Sequence, residues 1–376
     1  MFYETTGVPV HSVLLCETRD EALGYPKGSV RLAFCPDCGF SSNIDFKPEL
    51  HEYSQRYEET QGFSPTFRAF HECLAQSLID RYDLRGKSVL EIGCGKGEFL
   101  LLLCERGGNR GLGFDPAYVE GRLPIPDELE IRFIKNFYSE KYSDISAEFV
   151  CCKMTLEHIP DTSRFIAMVR RALGEEGRPL VFFQVPDAER IWRDAAFWDV
   201  YYEHCSYFSG PALEILFRQC DFEVLEVSRE YDNQYLTVLA QPTSGGAGTR
   251  DMVEGLNELG PLTASFTDRV QATVDALGRK VAETAARGGK TVIWGGGSKA
   301  VSFLSALGQE HNIEFVVDIN PYRQGTFLAG GGQQIVSPDF LPGYGPDLVI
   351  LMNSIYRDEV KDSLNERGLS PTIEAL

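Results

Sequence analysis

Residues 89–100 read VLEIGCGKGEFL: a stretch of strand character, three glycines at alternate positions, then an apolar run at helical spacing. Gly93, Gly95 and Gly97 let the backbone turn sharply between strand and helix. They also let a ligand approach the helix N-terminus, where unpaired N–H groups and the helix dipole favour negative charge. About twenty residues on, GLGFD ends in Asp115, an acidic strand end placed to accept hydrogen bonds from a ribose diol. Strand, glycine loop, helix and acidic strand end in succession point to a nucleotide-type ligand, where the glycines alone would not.

The units around this loop repeat the same alternation. Before it, the apolar positions of FHECLAQSLIDRYDL recur at helical spacing up to Gly86. After it come the strand EFVCCKM, a helix around SRFIAMVRRAL and the strand PLVFFQVP. This alternation predicts a parallel, doubly wound sheet. QPTSGGAGTR at 241–250 reads as a linker. Beyond it lie a long helix over 264–287 and a second α/β series, with strands KTVIWGG, IEFVVDINP and PDLVILMN and the helix SKAVSFLSALG. The first 45 residues read as short strands and turns, VHSVLL and GSVRLAFCPDCGF. The domain expectation is therefore a small module at 1–60, the glycine-loop domain at 61–242 and a second α/β domain at 255–376.

Composition narrows the partners. A net charge of −19 argues against nucleic acid, whose binding draws on Lys and Arg neutralising phosphates. An apolar share of 43% and a charged share of 24% are those of a globular protein. No apolar run is long enough to span a bilayer, and the N-terminus lacks a basic region before an apolar stretch, so a cytoplasmic location and no membrane partner are expected. The ten cysteines then read as reduced thiols, and only Cys35 and Cys38 in FCPDCGF have metal-type spacing. Oligomeric state is not legible in the sequence.

Dinucleotide sites read G-x-G-x-x-G, whereas this loop reads G-x-G-x-G with Glu91 ahead of it. That arrangement resembles motif I of the class I S-adenosylmethionine-dependent methyltransferases. VCCKMTLEHIPD at 150–161 is similar to the strand and loop that line their cofactor pocket. The resemblance implies cofactor contacts from Glu91, Gly93, Cys94, Gly95, Gly97, Asp115, Pro116, Met154, Leu156 and His158, with His158 equally readable as a loop-bracing histidine.

Over nearly its whole length the chain resembles the C-methyltransferases that act on nucleotide-linked keto sugars. LAFCPDCGF followed by YSQRYEETQGFSP, then YYEHCSYFS at 201–209, then WGGGSKAVSFL, VVDINPYRQGTFLAGGGQQIVSP and PDLVILMNSIYRDEV carry that resemblance. It implies an α/β fold with a class I methyltransferase sheet, a Rossmann-like C-terminal domain and a small N-terminal zinc-ribbon-like module. It also implies substrate contacts from Tyr53, Tyr57, Tyr202 and Lys299. One of the family's two cysteine pairs would fall on Val13 and Cys16. His11, Cys16, Cys35 and Cys38 could complete a mixed tetrahedral zinc set, or the cysteines form a metal-free turn. Tyr202 stands where the family has a histidine, and a glycine pair is missing from YDNQYLTVLAQP.

Carbon methylation beside a ketone needs a base for a weakly acidic C–H and a donor to the developing enolate oxygen. By resemblance His204 is the base, with Tyr201 and Glu203 beside it. From the residues alone, Glu203 either fixes the imidazole tautomer or faces solvent, Tyr201 or Tyr202 donates to the oxygen, and His204 could equally be a core-edge histidine. Lys153 and Arg193 are cations that could meet a substrate phosphate or stay solvated. Ser298 and Lys299 in the C-terminal loop, with Asp318 on the next strand, could face a pyrophosphate or form a structural turn. O- or N-methylation, an NAD-dependent oxidoreductase and a non-catalytic nucleotide-binding scaffold are the competing readings.

Overall fold

A computed structural model describes residues 1–50, 56–174, 178–243, 254–308 and 311–376. The chain runs β1 (Tyr3–Pro9), α1 (Arg19–Leu23), β2 (Lys27–Phe34) and β3 (Ser41–Asn43). It continues through α2 (Pro65–Tyr82), β4 (Ser88–Ile92), α3 (Glu98–Gly107), β5 (Arg110–Phe114), β6 (Ile131–Ile134), β7 (Phe149–Lys153), α4 (Thr162–Ala172), β8 (Leu180–Pro186) and α5 (Ala188–Asp194). Then come β9 (Ser206–Tyr207), α6 (Gly210–Gln219), β10 (Phe222–Glu230) and β11 (Tyr235–Pro242). The last part holds α7 (Leu256–Ala286), β12 (Thr291–Trp294), α8 (Ser298–Leu307), β13 (Phe315–Val317), β14 (Gln334–Val336), α9 (Leu341–Tyr344), β15 (Leu348–Leu351), α10 (Arg357–Glu366) and β16 (Thr372–Ala375).

The central sheet has the order β10-β11-β8-β7-β4-β5-β6, parallel except for β11 against β8 and β10 against β11. Its middle strands β7 and β8 are almost continuous apolar runs, because helices cover both faces. Phe183, Ile166 and Phe217 pack on one face and Phe149, Leu100 and Ile79 on the other. The C-terminal sheet is parallel throughout, in the order β14-β13-β12-β15-β16. In both sheets the first strand lies centrally and the order reverses beside it, which opens a crevice at the carboxyl ends of the strands. The expected class I methyltransferase sheet and second Rossmann-like domain are both present.

The N-terminal sheet departs from expectation. Its order is β1-β2-β3-β9, so the fourth strand comes from YYEHCSYFS in the middle of the chain. VHSVLL, expected as a strand, is irregular. Its residues bond outward, Leu14 bridging to Tyr57, with Cys16 just beyond it bridging to Phe327. A shared core ties the three parts together: Phe266 of α7 packs edge-on against Phe2, Tyr3 and Trp192, at centroid distances of 5.9, 5.2 and 4.8 Å. α7 also starts earlier than its polar first turns suggested, at Leu256. Among the described residues no helix is long and apolar enough to cross a membrane.

Candidate active site

The loop between β4 and α3 is built on backbone that only glycine adopts easily. Gly93 and Gly97 have φ of +70° and +92°. A Cβ on Gly93 would run into Thr155, and one on Gly97 would lie 2.6 Å from the Phe133 ring. Asp115, at the end of β5, is held by two N–H groups. Oδ2 accepts from Gly95 at 2.8 Å and Oδ1 from Ala117 at 2.7 Å. Burial raises its pKa, and those two bonds oppose the rise. Each oxygen keeps a lone pair for a further donor. Lys96, also in the loop, donates to the carbonyls of Tyr57 and Ala117 at 2.8 and 2.9 Å and lies 3.4 Å from Glu59. It thereby straps the 57–59 segment over the loop.

These elements enclose a cavity of about 400 Å³. Glu91, Gly93, Cys94, Gly95, Asp115, Pro116, Met154 and His158 all line it. Two members of the expected cofactor set do not. Leu156 is fully buried in the core beneath α4, and Gly97 serves the steric role just described as the cap of α3. Tyr57 lines the wall, while Tyr53 lies outside the described residues. The set fits an adenosyl amino acid. A ribose-type acceptor pair stands at Asp115, and Glu91, 2% exposed, has an Oε2 without a hydrogen-bond partner among the described residues.

His204 enters the far side of the same cavity. Residues 201–204 form a turn closed by the His204 N–H on the Tyr201 carbonyl at 3.2 Å. The turn puts Tyr201 and His204 on one side, ring centroids 4.1 Å apart, and both line the cavity. Tyr202 and Glu203 point the other way, which corrects two expectations. The Tyr202 ring packs against Gly28, where a Cβ would collide with it, and its hydroxyl accepts from the Lys47 N–H at 2.9 Å. Tyr202 is therefore a core residue of the N-terminal sheet and not a substrate contact. Glu203 accepts from Ser12 and pairs with His11 Nδ1 at 3.1 Å, so it anchors the turn and does not face the reaction space. The carboxyl that does face His204 is Glu157, at 3.9 Å from Nε2, and His158 stands perpendicular at 4.8 Å between centroids. The backbone makes this possible at Met154, which leaves β7 with φ of +51° and turns the chain back toward the cavity. Burial pushes Glu157 up to about 8 and His158 down to about 4, so both are uncharged at neutral pH. Burial, with nearby carboxylates, raises Tyr201 well above 10, which keeps its phenol a donor.

The expected zinc set does not assemble. His11 is taken by Glu203. Cys16 is fully buried against Ala22 and Ala329, and burial raises its thiol to about 11. Cys35 and Cys38 lie in the β2–β3 turn, closed by backbone bonds from Cys35 to Phe40 and from Gly39 to Cys35. Among the described residues the one convergent His/Cys/Asp/Glu group is Glu157, His158 and His204.

A second cavity of about 220 Å³ lies between the central and C-terminal sheets and shares Met154, Tyr201 and Ser298 with the first. Trp294, Tyr235 and Tyr356 give it aromatic walls. Its cations are paired: Lys299 and Arg190 lie 3.0 and 2.5 Å from Asp199, and Arg323 lies 3.0 Å from Asp318. Burial acts to raise Asp199, but Lys299 and Arg190 together hold it below the usual carboxylate range. Arg193 is exposed and pairs with Glu189, away from both cavities. The residues that sequence reasoning missed are Glu157, which passed as part of a loop signature, and His71, which passed as one polar position on a helix.

Comparison with known proteins finds family matches for two stretches of the chain. A methyltransferase-domain family matches residues 67–227, and a C-methyltransferase C-terminal domain family matches 249–368. The C-methyltransferase NovU of Streptomyces niveus is 28% identical over 314 residues, covering 78% of this chain and 73% of that protein. A ubiquinone biosynthesis O-methyltransferase of Neisseria meningitidis serogroup C is 26% identical over 151 residues, 38% of this chain and 62% of that protein. Among solved structures, 1,6-didemethyltoxoflavin-N1-methyltransferase of Burkholderia thailandensis aligns at 18% identity and a TM-score of 0.36, over 48% of this chain and 82% of that one. The chain is an S-adenosylmethionine-dependent methyltransferase in which a methyltransferase domain is followed by a region similar to the C-terminal domain of C-methyltransferases.

Proposed function

We propose that the enzyme methylates a carbon next to a ketone in a small acceptor, a nucleotide-linked sugar or a related natural-product intermediate, with His204 as the base. The observation that carries this reading is the convergence of His204, His158 and Glu157 in the first cavity beside Tyr201, which lines both cavities. S-adenosylmethionine supplies a methyl group already activated on a sulfonium. The chain's part is to align the acceptor carbon, exclude water and move one proton. His204 takes that proton from the carbon beside the carbonyl. The phenol of Tyr201, kept protonated by burial, donates to the oxygen on which negative charge develops. The uncharged carboxyl of Glu157 puts no negative charge beside the imidazole, so nothing on that side fixes a proton there before the acceptor arrives. Glu91, Gly93, Gly95 and Asp115 hold the cofactor, and Tyr57 and Lys299 contact the acceptor from the strap and from α8.

The reading is tested by offering keto sugar nucleotides with S-adenosylmethionine and watching by mass spectrometry for the gain of one methyl group. Solvent deuterium uptake at the acceptor carbon, measured without the cofactor, then isolates the proton step. His204→Asn should lose about 10²–10⁴ in turnover, as removal of a general base does, and should lose the exchange with it. An unimpaired variant would mean transfer to oxygen or nitrogen, which needs no carbon-acid base.

A further inference from the structure

The first cavity buries an acid and a base that make no hydrogen bond to each other among the described residues. Glu91 and Lys153 sit at the ends of adjacent strands β4 and β7 and both line the wall. Glu91 is 2% exposed, with Oε2 unpartnered among the described residues; Lys153 is 8% exposed. The ammonium of Lys153 is directed at His71 Nε2, 2.9 Å away on α2, and lies 3.9 Å from the centre of the Phe99 ring. Burial and the neighbouring lysine push His71 down to about 2, so its ring is neutral and Nε2 accepts. One bond to His71 and one aromatic face leave the ammonium a donor to spare. Burial drives Glu91 up and Lys153 down, and each opposes the other's shift across the gap.

A buried carboxyl and a buried amine without a mutual bond are costly to charge, and each is held in its charged form when a group of opposite sign stands beside it. The complement of a carboxylate and an ammonium on one cavity wall is a zwitterion, and an α-amino acid carries both signs on a single carbon. We infer that Lys153, steadied by His71, binds the α-carboxylate of the cofactor's amino-acid end, while Glu91 across the gap receives its ammonium. This rests on the reading of the glycine-loop cavity as the cofactor site. Lys153 is then a determinant of cofactor specificity, excluding nucleosides without an amino-acid tail. It is not the acceptor-phosphate contact that its position in the sequence suggested.

The test is a calorimetric titration of the full-length enzyme with S-adenosylhomocysteine and with its decarboxylated counterpart. The parent enzyme should bind the carboxylated ligand about tenfold more tightly or better, the worth of a charge-assisted hydrogen bond. Lys153→Met should erase that preference by weakening S-adenosylhomocysteine alone, and Lys153→Arg should keep part of it. His71→Phe, which keeps a ring on α2, should reduce the preference without removing it. Equal binding of both ligands by the parent enzyme overturns the inference whether or not any variant folds. So does a Lys153→Met enzyme that loses affinity for both alike. If the parent binds neither ligand, the cofactor-site reading falls first and the inference with it.

Discussion

The molecule contains two glycine loops made to one plan, and each opens onto its own cavity. In each, a strand runs into glycines and a helix, and the carboxylate at the end of the next strand accepts an N–H from the loop. Gly95 reaches Asp115 at 2.8 Å, and Gly296 reaches Asp318 at 2.8 Å. The two loops differ in the cation that stands beside each carboxylate. A few residues past Asp318 the chain supplies Arg323, whose Nη1 is 3.0 Å from that carboxylate and 3.2 Å from where a Cβ on Gly297 would stand. Its guanidinium also donates to the Glu58 carbonyl. The carboxylate of the second loop is thus paired with its own arginine, which lines the second cavity and stitches the loop to the strap over the first. Beside Asp115 the loop cation Lys96 turns to carbonyls instead, and the cavity stays clear. The shared motif specifies a turn. How the carboxylate at the turn is partnered depends on a side chain the motif does not include.

Substitution of the glycines gives the widest separation between the loops. Gly93→Ala forces a side chain into left-handed backbone and against Thr155, and should cost on the order of 1–3 kcal/mol in strain alone. Thermal melting should show the loss and calorimetry should find cofactor binding gone. Gly297→Ala, at φ −107° and with its nearest neighbour, the Arg323 guanidinium, 3.2 Å from the new Cβ, should change stability by about 1 kcal/mol or less. If the two variants behaved alike, the contrast would fail.

The acidic strand ends come next. Asp115→Asn removes the charged acceptor and should weaken S-adenosylhomocysteine about tenfold to a hundredfold. Asp318→Asn should leave that affinity unchanged and appear only as a lower melting temperature, since it breaks a buried pair with Arg323. Loss of cofactor affinity in Asp318→Asn would show the loops to be coupled.

A pH dependence also separates the two cavities. Glu157, ordinarily near 4.5, is raised to about 8, whereas Asp199 in the second cavity is held low. Above about pH 4.5 the unfolded chain releases a proton that folded Glu157 keeps, so stability attributable to this group falls as pH rises toward 8. Glu157→Gln should therefore match the parent near pH 4.5 and gain on it up to about pH 8, by a few kcal/mol at most. Melting curves at the two ends of that window read the difference. A constant offset between variant and parent would mean that Glu157 is ionised in the native state.

Sequence made the first loop legible because everything that builds it is local: β4, the glycines, α3 and Asp115 fall within about thirty residues. The short edge strands β6, β14 and β16 escaped notice because three or four residues carry too little period to register. Tyr202 and Glu203 were misread for a related reason. In a turn, neighbours in sequence leave on opposite sides, so the four residues that look like one cluster divide between the cavity and the N-terminal sheet. Glu157 became visible only once the fold set it 3.9 Å from a histidine 47 positions away. The zinc expectation failed on the same ground, since spacing places Cys35 near Cys38 but says nothing of Cys16, which is buried against Ala22 and Ala329.

The pairing of β9 with β3 bears on how the enzyme comes into being. Ser41 and Tyr207 are partners separated by most of the methyltransferase domain, a loop closure that is slow compared with the helical contacts between them. The first hairpin leaves the ribosome early and has no mate until about 165 further residues have been made. The turn bearing His204 takes its shape from that late mating and from the Glu203 bonds to His11 and Ser12. One wall of the first cavity thus takes its shape from segments that lie far apart in the sequence, and it is complete only after those two distant pieces of sheet have met.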